Sequence, residues 1–495
     1  MAEPIGGRRI VGQVGLIHEG DVKRVLVAAI SVLSFGQPVQ ATDRVLGQAN
    51  SFQSYNGVAE RCVRTAPMPL AQYDKGDLKD EAALCGIDLY DLNVALCPKI
   101  WSTSVAIVFY DISEGHFQGD RAGFQTKICA AGQVAKYVAK GQIARLKFSI
   151  NQANTSATYT PSSLLYYHFS RYFGFSSAVP VAVWRSVDKS VLLNEVALGG
   201  RDLTAGRADL AANHAAWSTL VEAIRQPESY ARPGSYGSAM DFLTEDGTAA
   251  YGTIYDGGGT PYGPEMNGRS VDNTAEVNYA AFLQSPVVGA LNTDLPLADA
   301  IRQTLEQGEA RFTPEGRPTQ PITPVQLAFW MRDMAEILMI DTIMGQQDRP
   351  GNIDYREYYH WVEDGKVKRE RVRDQRPGEG DIPHNAQILL RTRLNDNDAS
   401  GRWEYDNHLM KMQAVEQLRH FDAGLYDKLQ ALDQDFQSQG PIFQWLRDSL
   451  GLELHQAEMI VANTAHVASV LREAYAAGRL RLDLDAEAFL IDATP

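Results

Sequence analysis

The sequence predicts an α+β fold, and three observations predict it. Beyond Trp101 short apolar runs alternate with polar residues as strands do, with one helical run among them. Residues 325–340 place Leu327, Met331, Met334 and Leu338 at helical spacing, flanked by Trp330, Ile337 and Ile340. After Trp403 the text is helical almost to its end, over 410–421, 425–436 and 454–477, with an acidic and partly ordered tail after Leu480. At 495 residues, 44 % hydrophobic and 22 % charged, the chain is long enough for a sizeable core and more than one lobe. Its net charge of −15 argues against a nucleic-acid surface.

Lys23-Arg24, the apolar run 25–33 and Val39-Gln40-Ala41 read as a secretory signal peptide, with Thr42 beginning the mature chain. A buried strand or helix is the alternative for the same run. No later run is long enough to cross a membrane, so no stable membrane insertion is expected. Cys62, Cys85, Cys97 and Cys129 are an even set within the first third, which suggests two disulfides with three possible pairings. The expectation is a secreted or periplasmic protein. Residues 42–100 are assigned no chemistry.

Residues 105–110 are a strand, and the glycines of 132–142 suit a strand and a nucleotide-covering turn, although G-x-G-x-x-G is absent. In residues 143–150, Leu146, Phe148 and Ile150 share one strand face while Arg145 and Lys147 share the other. Lys147 is the candidate for binding nucleotide phosphates. Pro161 and Gly174 bracket a helix over 161–175, followed by a strand over 178–184. His168 on that helix reads as packing. Residues 191–198, which contain Glu195, look like another strand. Residues 200–320 are a long insertion suited to substrate selection. Within it Tyr255-Asp256-Gly257-Gly258-Gly259-Thr260 has no strand leading in and no Gly-Lys-Ser/Thr closing it, so it reads as a surface loop.

Pro324 can begin the long helix without needing its N–H. The helix ends near Gly345, and Gln346-Gln347-Asp348-Arg349-Pro350-Gly351-Asn352 follows as a polar loop. Residues 358–372 are a hairpin turning at Asp364-Gly365, with a basic second strand. Residues 374–381 are mobile by composition. The strand 387–394 then runs into Asn395-Asp396-Asn397-Asp398. Each polar motif alone also makes a good turn. In this order they supply the parts of phosphoryl transfer: Asp348 to orient an attacking hydroxyl, Asp396 to bind Mg or Mn, and Asn352 or Asp398 to help.

Residues 343–349 resemble the catalytic loop of the secretory-pathway kinases that include the Golgi casein kinase. More distantly they are similar to phosphatidylinositol 3- and 4-kinases and HipA-type kinases. Leu394-Asn395-Asp396-Asn397 resembles the metal-binding strand end of those families, and residues 161–184 resemble their αC helix and next strand. The resemblance covers residues 130–400 in patches. It implies a two-lobed protein-kinase-like fold with a β-rich N-lobe and a mostly helical C-lobe. It also implies ATP with Mg or Mn, with Lys147, Asp396 and Arg349 contacting the nucleotide. Two positions depart from the pattern. Ser163 stands where the helix glutamate belongs, with Glu195 as a possible substitute, and Asn352 follows Asp348 by four residues rather than five.

The layout expected is a signal peptide with its preface (1–41), a cysteine-containing extension (42–100), an N-lobe (101–200), an insertion leading into the C-lobe (201–323), the C-lobe (324–479) and a tail (480–495). The function expected is ATP-dependent phosphorylation of a hydroxyl, on a secreted protein first and a glycan second. A nucleotidyl (AMP) transferase and a nucleotide-binding pseudokinase are the alternatives.

Overall fold

Strands of alternating character pair into an antiparallel sheet that organises the first half of the chain. The computed structural model describes residues 45–131, 139–150, 158–230, 242–268, 274–307, 311–312, 320–372 and 376–492. The expected signal peptide, and most of the expected turn over 132–142, lie outside the described residues. The larger sheet holds β1 (Gly47–Gln53), β2 (Ala59–Thr65), β3 (Val94–Pro98), β4 (Ala106–Asp111), β5 (Gly141–Phe148), β6 (Ala182–Asp188) and β7 (Ala249–Tyr255). They lie in the order β1-β2-β6-β7-β5-β4-β3. On β4, Ile107 and Phe109 enter the main core, while Val108 and Tyr110 point the other way into a second cluster with Cys97, Phe117 and Phe124. The period of two therefore buries both faces there.

β7 comes from the stretch read as an insertion, and it feeds directly into the glycine tract that was expected to have no strand before it. Gly252 explains how β7 fits beside β5. A Cβ at Gly252 would overlap the Lys147 carbonyl oxygen. A second departure concerns Glu195. Residues 191–198 are not a strand: Lys189–Val191, Leu192–Ala197 and Leu198–Thr204 form one helical stretch.

The helix Thr160–Phe173 joins β5 to β6, with Pro161 in its first turn and Gly174 in the left-handed conformation at its end. A smaller sheet holds β8 (Thr260–Pro261), β11 (Ile353–Glu363), β12 (Lys366–Arg371) and β13 (Gln387–Leu394), with a separate ribbon of β9 (Arg311–Phe312) and β10 (Gln320–Pro321). The expected hairpin is β11–β12, turning at Asp364 and Gly365, both at positive φ.

The long helix is Pro324–Met344, capped by the Thr323 side chain and closed by Gly345. Every residue from Val325 to Met344 is buried, the charged ones included. Buried charges on its polar positions are met by partners. Glu336 pairs with Arg332 at 2.9 Å and accepts from the Ser176 and Ser177 amides, and Asp341 pairs with Arg349. Helix Leu454–Ala476 covers it, with Asn463 donating to the Ile343 carbonyl at 2.9 Å.

Two more expectations differ at the C-terminal end. The helix expected over 410–421 is reduced to His408–Lys411 followed by turns, and the tail folds back. Leu480, Leu484 and Leu490 are buried, and the helix Ala486–Asp492 ends the described chain. The cysteines pair as Cys62–Cys85 and Cys97–Cys129. The observed architecture is thus α+β, and among the described residues no helix is long and apolar enough to cross a membrane.

Candidate active site

β5 delivers Lys147 to the site. Lys147 lies opposite Ala106 of β4 and Thr253 of β7, and its neighbours Leu146 and Phe148 point into the core. The carboxylates come from the loop after β13, which is placed by main-chain bonds to the turn after the helix Thr160–Phe173. The Ala178 amide donates to Thr392 at 2.8 Å and the Leu394 amide donates to Ala178 at 2.9 Å. Asp396 then turns at φ +48°, a left-handed conformation that Asp tolerates.

The three side chains meet. The Lys147 ammonium lies 2.5 Å from Asp396 Oδ1 and 2.6 Å from Asp398 Oδ1. Burial works against the ammonium, but the two carboxylates outweigh it and hold Lys147 well above its usual range. Burial likewise opposes ionisation of Asp396. Lys147, Lys99 and Arg145 overcome it and hold that carboxyl well below the ordinary range. The side chains of Lys147 and Asp398 are 3 % and 5 % exposed, whereas Asp396 keeps 32 %, so Asp396 is the member an incoming ligand can reach.

The Asp348 loop is fastened to the same place. The Gln347 amide donates to Ala399 at 2.8 Å and the Gly401 amide donates to Met344 at 2.8 Å. Arg349 is the strut. Its Nε donates to Asp341 Oδ2 at 2.7 Å, one Nη to Asn395 O at 3.1 Å and the other to Asn397 Oδ1 at 2.9 Å. Tyr166 from the helix Thr160–Phe173 donates to the other Asp341 oxygen at 2.5 Å. Arg349 is fully buried with its donors taken, so the expectation that it contacts nucleotide is corrected: it positions the loops. Asp348 remains half-buried beside it. Asn352 spends its amide on the Asp348 carbonyl at 2.6 Å, closing its own turn.

The helix Thr160–Phe173 supplies no acid to Lys147. Ser162 donates to the Asn397 carbonyl at 2.5 Å and touches Ser400. Glu195 is committed elsewhere, to Arg121 at 2.6 Å and to the Tyr55 hydroxyl at 2.9 Å. His168 is core, bonded to the Tyr73 hydroxyl at 2.6 Å.

The glycine tract adds a wall. Running from β7 to β8, it accepts from Arg393 at the Asp256 carbonyl (2.6 Å) and from Asn395 at the Gly258 carbonyl (3.2 Å). A Cβ at Gly259 would press into Asp354. Two residues of this neighbourhood escaped sequence reasoning. Asp354 on β11 accepts from Asn395 at 2.5 Å, and burial pushes its carboxyl up. Lys99, on the turn after β3, is buried near Lys147 and Asp396. A cavity of about 580 Å³ lies nearby, walled by Ile143, Val181, Asp256, Arg356 and Arg393, but Lys147, Asp348 and Asp396 do not line it.

Compared with models of known protein families and with curated proteins, the chain matches none. Among the described residues no group of three or more His, Cys, Asp or Glu side chains is placed to hold an ion. Asp396 and Asp398 offer hard oxygen donors of the kind that suit Mg.

Proposed function

We propose that this protein is an ATP-dependent kinase of two-lobed architecture that phosphorylates a hydroxyl, on a secreted protein in the first instance. The observation that carries the reading is the meeting of Lys147 with Asp396 and Asp398, 249 and 251 positions away, on a segment to which the Asp348 loop is tied by main-chain bonds. The order of elements supports it. A lysine on the third of three consecutive antiparallel strands, then a packed helix, then two further strands, a polar loop after a buried helix and a carboxylate after a later strand is the arrangement that phosphoryl transfer uses.

In this reading Lys147 holds the α- and β-phosphates, and Asp348 takes the acceptor hydroxyl proton. The acceptor oxygen forms a bond to the γ-phosphorus as the bond to the β,γ-bridging oxygen breaks, and ADP leaves. Asp396 and Asp398 would hold the divalent ion, which supplies charge neutralisation across the phosphates. The two disulfides are compatible with an exported protein.

A second reading has its own observation. Lys147 is already neutralised by two carboxylates and the helix Thr160–Phe173 supplies it no acid, as suits a pseudokinase that binds nucleotide without turnover. Incubating the purified protein with labelled ATP, Mg or Mn, and panels of secreted proteins and glycans separates the readings. An acceptor mass gain of about 80 daltons marks phosphoryl transfer and one of about 329 adenylyl transfer. Asp396→Ala should abolish either. Undiminished transfer by that variant would sink the assignment, and nucleotide binding without transfer would select the pseudokinase.

A further inference from the structure

The turn between β3 and β4 buries a lysine that the sequence gives no reason to notice. Lys99 is 3 % exposed. Its amide donates to the Ala106 carbonyl at 3.0 Å, which fixes it at the strand end directly beside the Ala106–Lys147 pair. Among the described residues its ammonium has one hydrogen-bond acceptor, the Ser104 hydroxyl, at 3.3 Å. Among the described residues no carboxylate lies within ion-pair distance of it. The charged groups that act on it are Lys147 and Arg145 of β5 and Asp396 and Asp398 of the loop after β13.

A buried ammonium is ordinarily paired with an acid, because losing its hydration is costly. Here both nearby carboxylates are spent on Lys147. Lys99 therefore lies beside two further cations, Arg145 and Lys147, with no acid of its own among the described residues. Burial, reinforced by Lys147, pushes the Lys99 ammonium down to about 7, as expected for a cation awaiting a counter-charge.

We infer that Lys99 is a second phosphate-binding residue, with which the β3–β4 turn clamps the polyphosphate of a nucleoside triphosphate. The inference rests on the kinase reading for the identity of the ligand, but not for its charge. The turn also carries Ser102 and Ser104, bonded to each other at 3.1 Å, and the exposed Trp101. It can thus offer hydroxyls to the same phosphates.

The test compares wild type, Lys99→Met, Lys99→Arg and Lys147→Met by calorimetric titration with ATP, adenosine and inorganic tripolyphosphate, each with Mn, alongside thermal melts without ligand. Lys99→Met should weaken ATP and tripolyphosphate binding roughly ten- to hundredfold while leaving adenosine unchanged, as loss of a charge-assisted bond does. Lys99→Arg should recover part of the loss. Ligand-free Lys99→Met should melt at or above the wild-type temperature, because it removes a buried charge held only by a hydroxyl. A structural lysine would behave oppositely, so a clearly lower melting temperature overturns the inference. So does unchanged affinity in Lys99→Met, and if Lys147→Met then loses binding the kinase reading survives alone. Wild-type binding of tripolyphosphate, weakened by Lys99→Met, with no binding of any nucleotide, supports the inference and removes the kinase reading. Wild type that binds neither overturns both.

Discussion

The Lys147 ammonium lies 2.5 Å from Asp396 Oδ1, and the contact joins strand β5 to the loop after β13 across 249 positions. Each partner holds the other charged, Lys147 above its usual range and Asp396 below. A phosphate arriving alone therefore meets a lysine whose charge is already answered by two acids. A phosphate arriving with a divalent cation brings a competitor for those acids and releases the lysine. Removing Mg and Mn with a chelator should weaken ATP binding by roughly tenfold or more, read by calorimetry. Equal affinity with and without chelator would show that Asp396 and Asp398 do not receive an ion.

Arg349 and Asp341 are both fully buried and joined at 2.7 Å. Arg349→Ala leaves the Asp341 charge in the core and cuts the bonds to Asn395 and Asn397. We expect a loss of about 3–5 kcal/mol in urea unfolding, the usual cost of orphaning one member of a buried pair. Arg349→Lys should recover little, since one ammonium cannot reach Asp341, Asn395 and Asn397 together. A near-neutral Arg349→Ala would mean that the two loops are held by their main-chain bonds alone.

What the sequence made legible were features written in local period and turn chemistry. Lys147 followed from strand alternation, the hairpin from Asp364-Gly365, and the long helix from its apolar spacing between Pro324 and Gly345. The misses are of another kind. The long helix carries Arg332, Asp333, Glu336 and Asp341, each of them buried, and the sequence does not show how those charges are met. Arg332, Asp333 and Asp341 find ion-pair partners outside the helix, which no local pattern reveals. β7 was hidden because its meaning depends on pairing with β5 and β6, distant in sequence. Arg349 adjoins Asp348 in the chain, but adjacency does not tell which of two neighbours faces the core. Lys99 is a single lysine in a turn, and only the β4–β5 register brings it to Lys147.

The buried histidines should set the acid limb of stability. His168 and His360 are pushed down from 6.5 to about 3, chiefly by burial and then by Arg171 and Arg391 respectively. Between those values the unfolded chain binds protons that the folded chain refuses, so stability falls as the pH falls from 6.5 towards 3. The slope is at most about 1.4 kcal/mol per pH unit for each group. The ion pair of Asp396 behaves differently. Its carboxyl is held below the ordinary 3.8, so its contribution is complete above that value and is lost only in stronger acid. Urea midpoints between pH 7 and pH 4 should decline in wild type and decline less steeply in His168→Phe. Parallel slopes would assign the acid limb to other groups.

The two disulfides should differ in what they protect. They close loops of 23 and 32 residues, and chain entropy puts the loss on removing either at about 3.5 kcal/mol. Cys62–Cys85 ties β2 to the helix Lys75–Cys85, away from the lysine cluster. Cys97–Cys129 anchors the end of β3 two residues before Lys99. Replacing Cys62 and Cys85 by Ser should therefore lower stability while leaving ATP affinity at the wild-type value under native conditions. Replacing Cys97 and Cys129 should lower both, because the β3–β4 turn then holds Lys99 less firmly against the phosphates. Calorimetric titration of the two double variants well below their melting temperatures reads the difference. Equal affinities in both would show that the turn is fixed by the β3–β4 and β4–β5 ladders without help from the bridge.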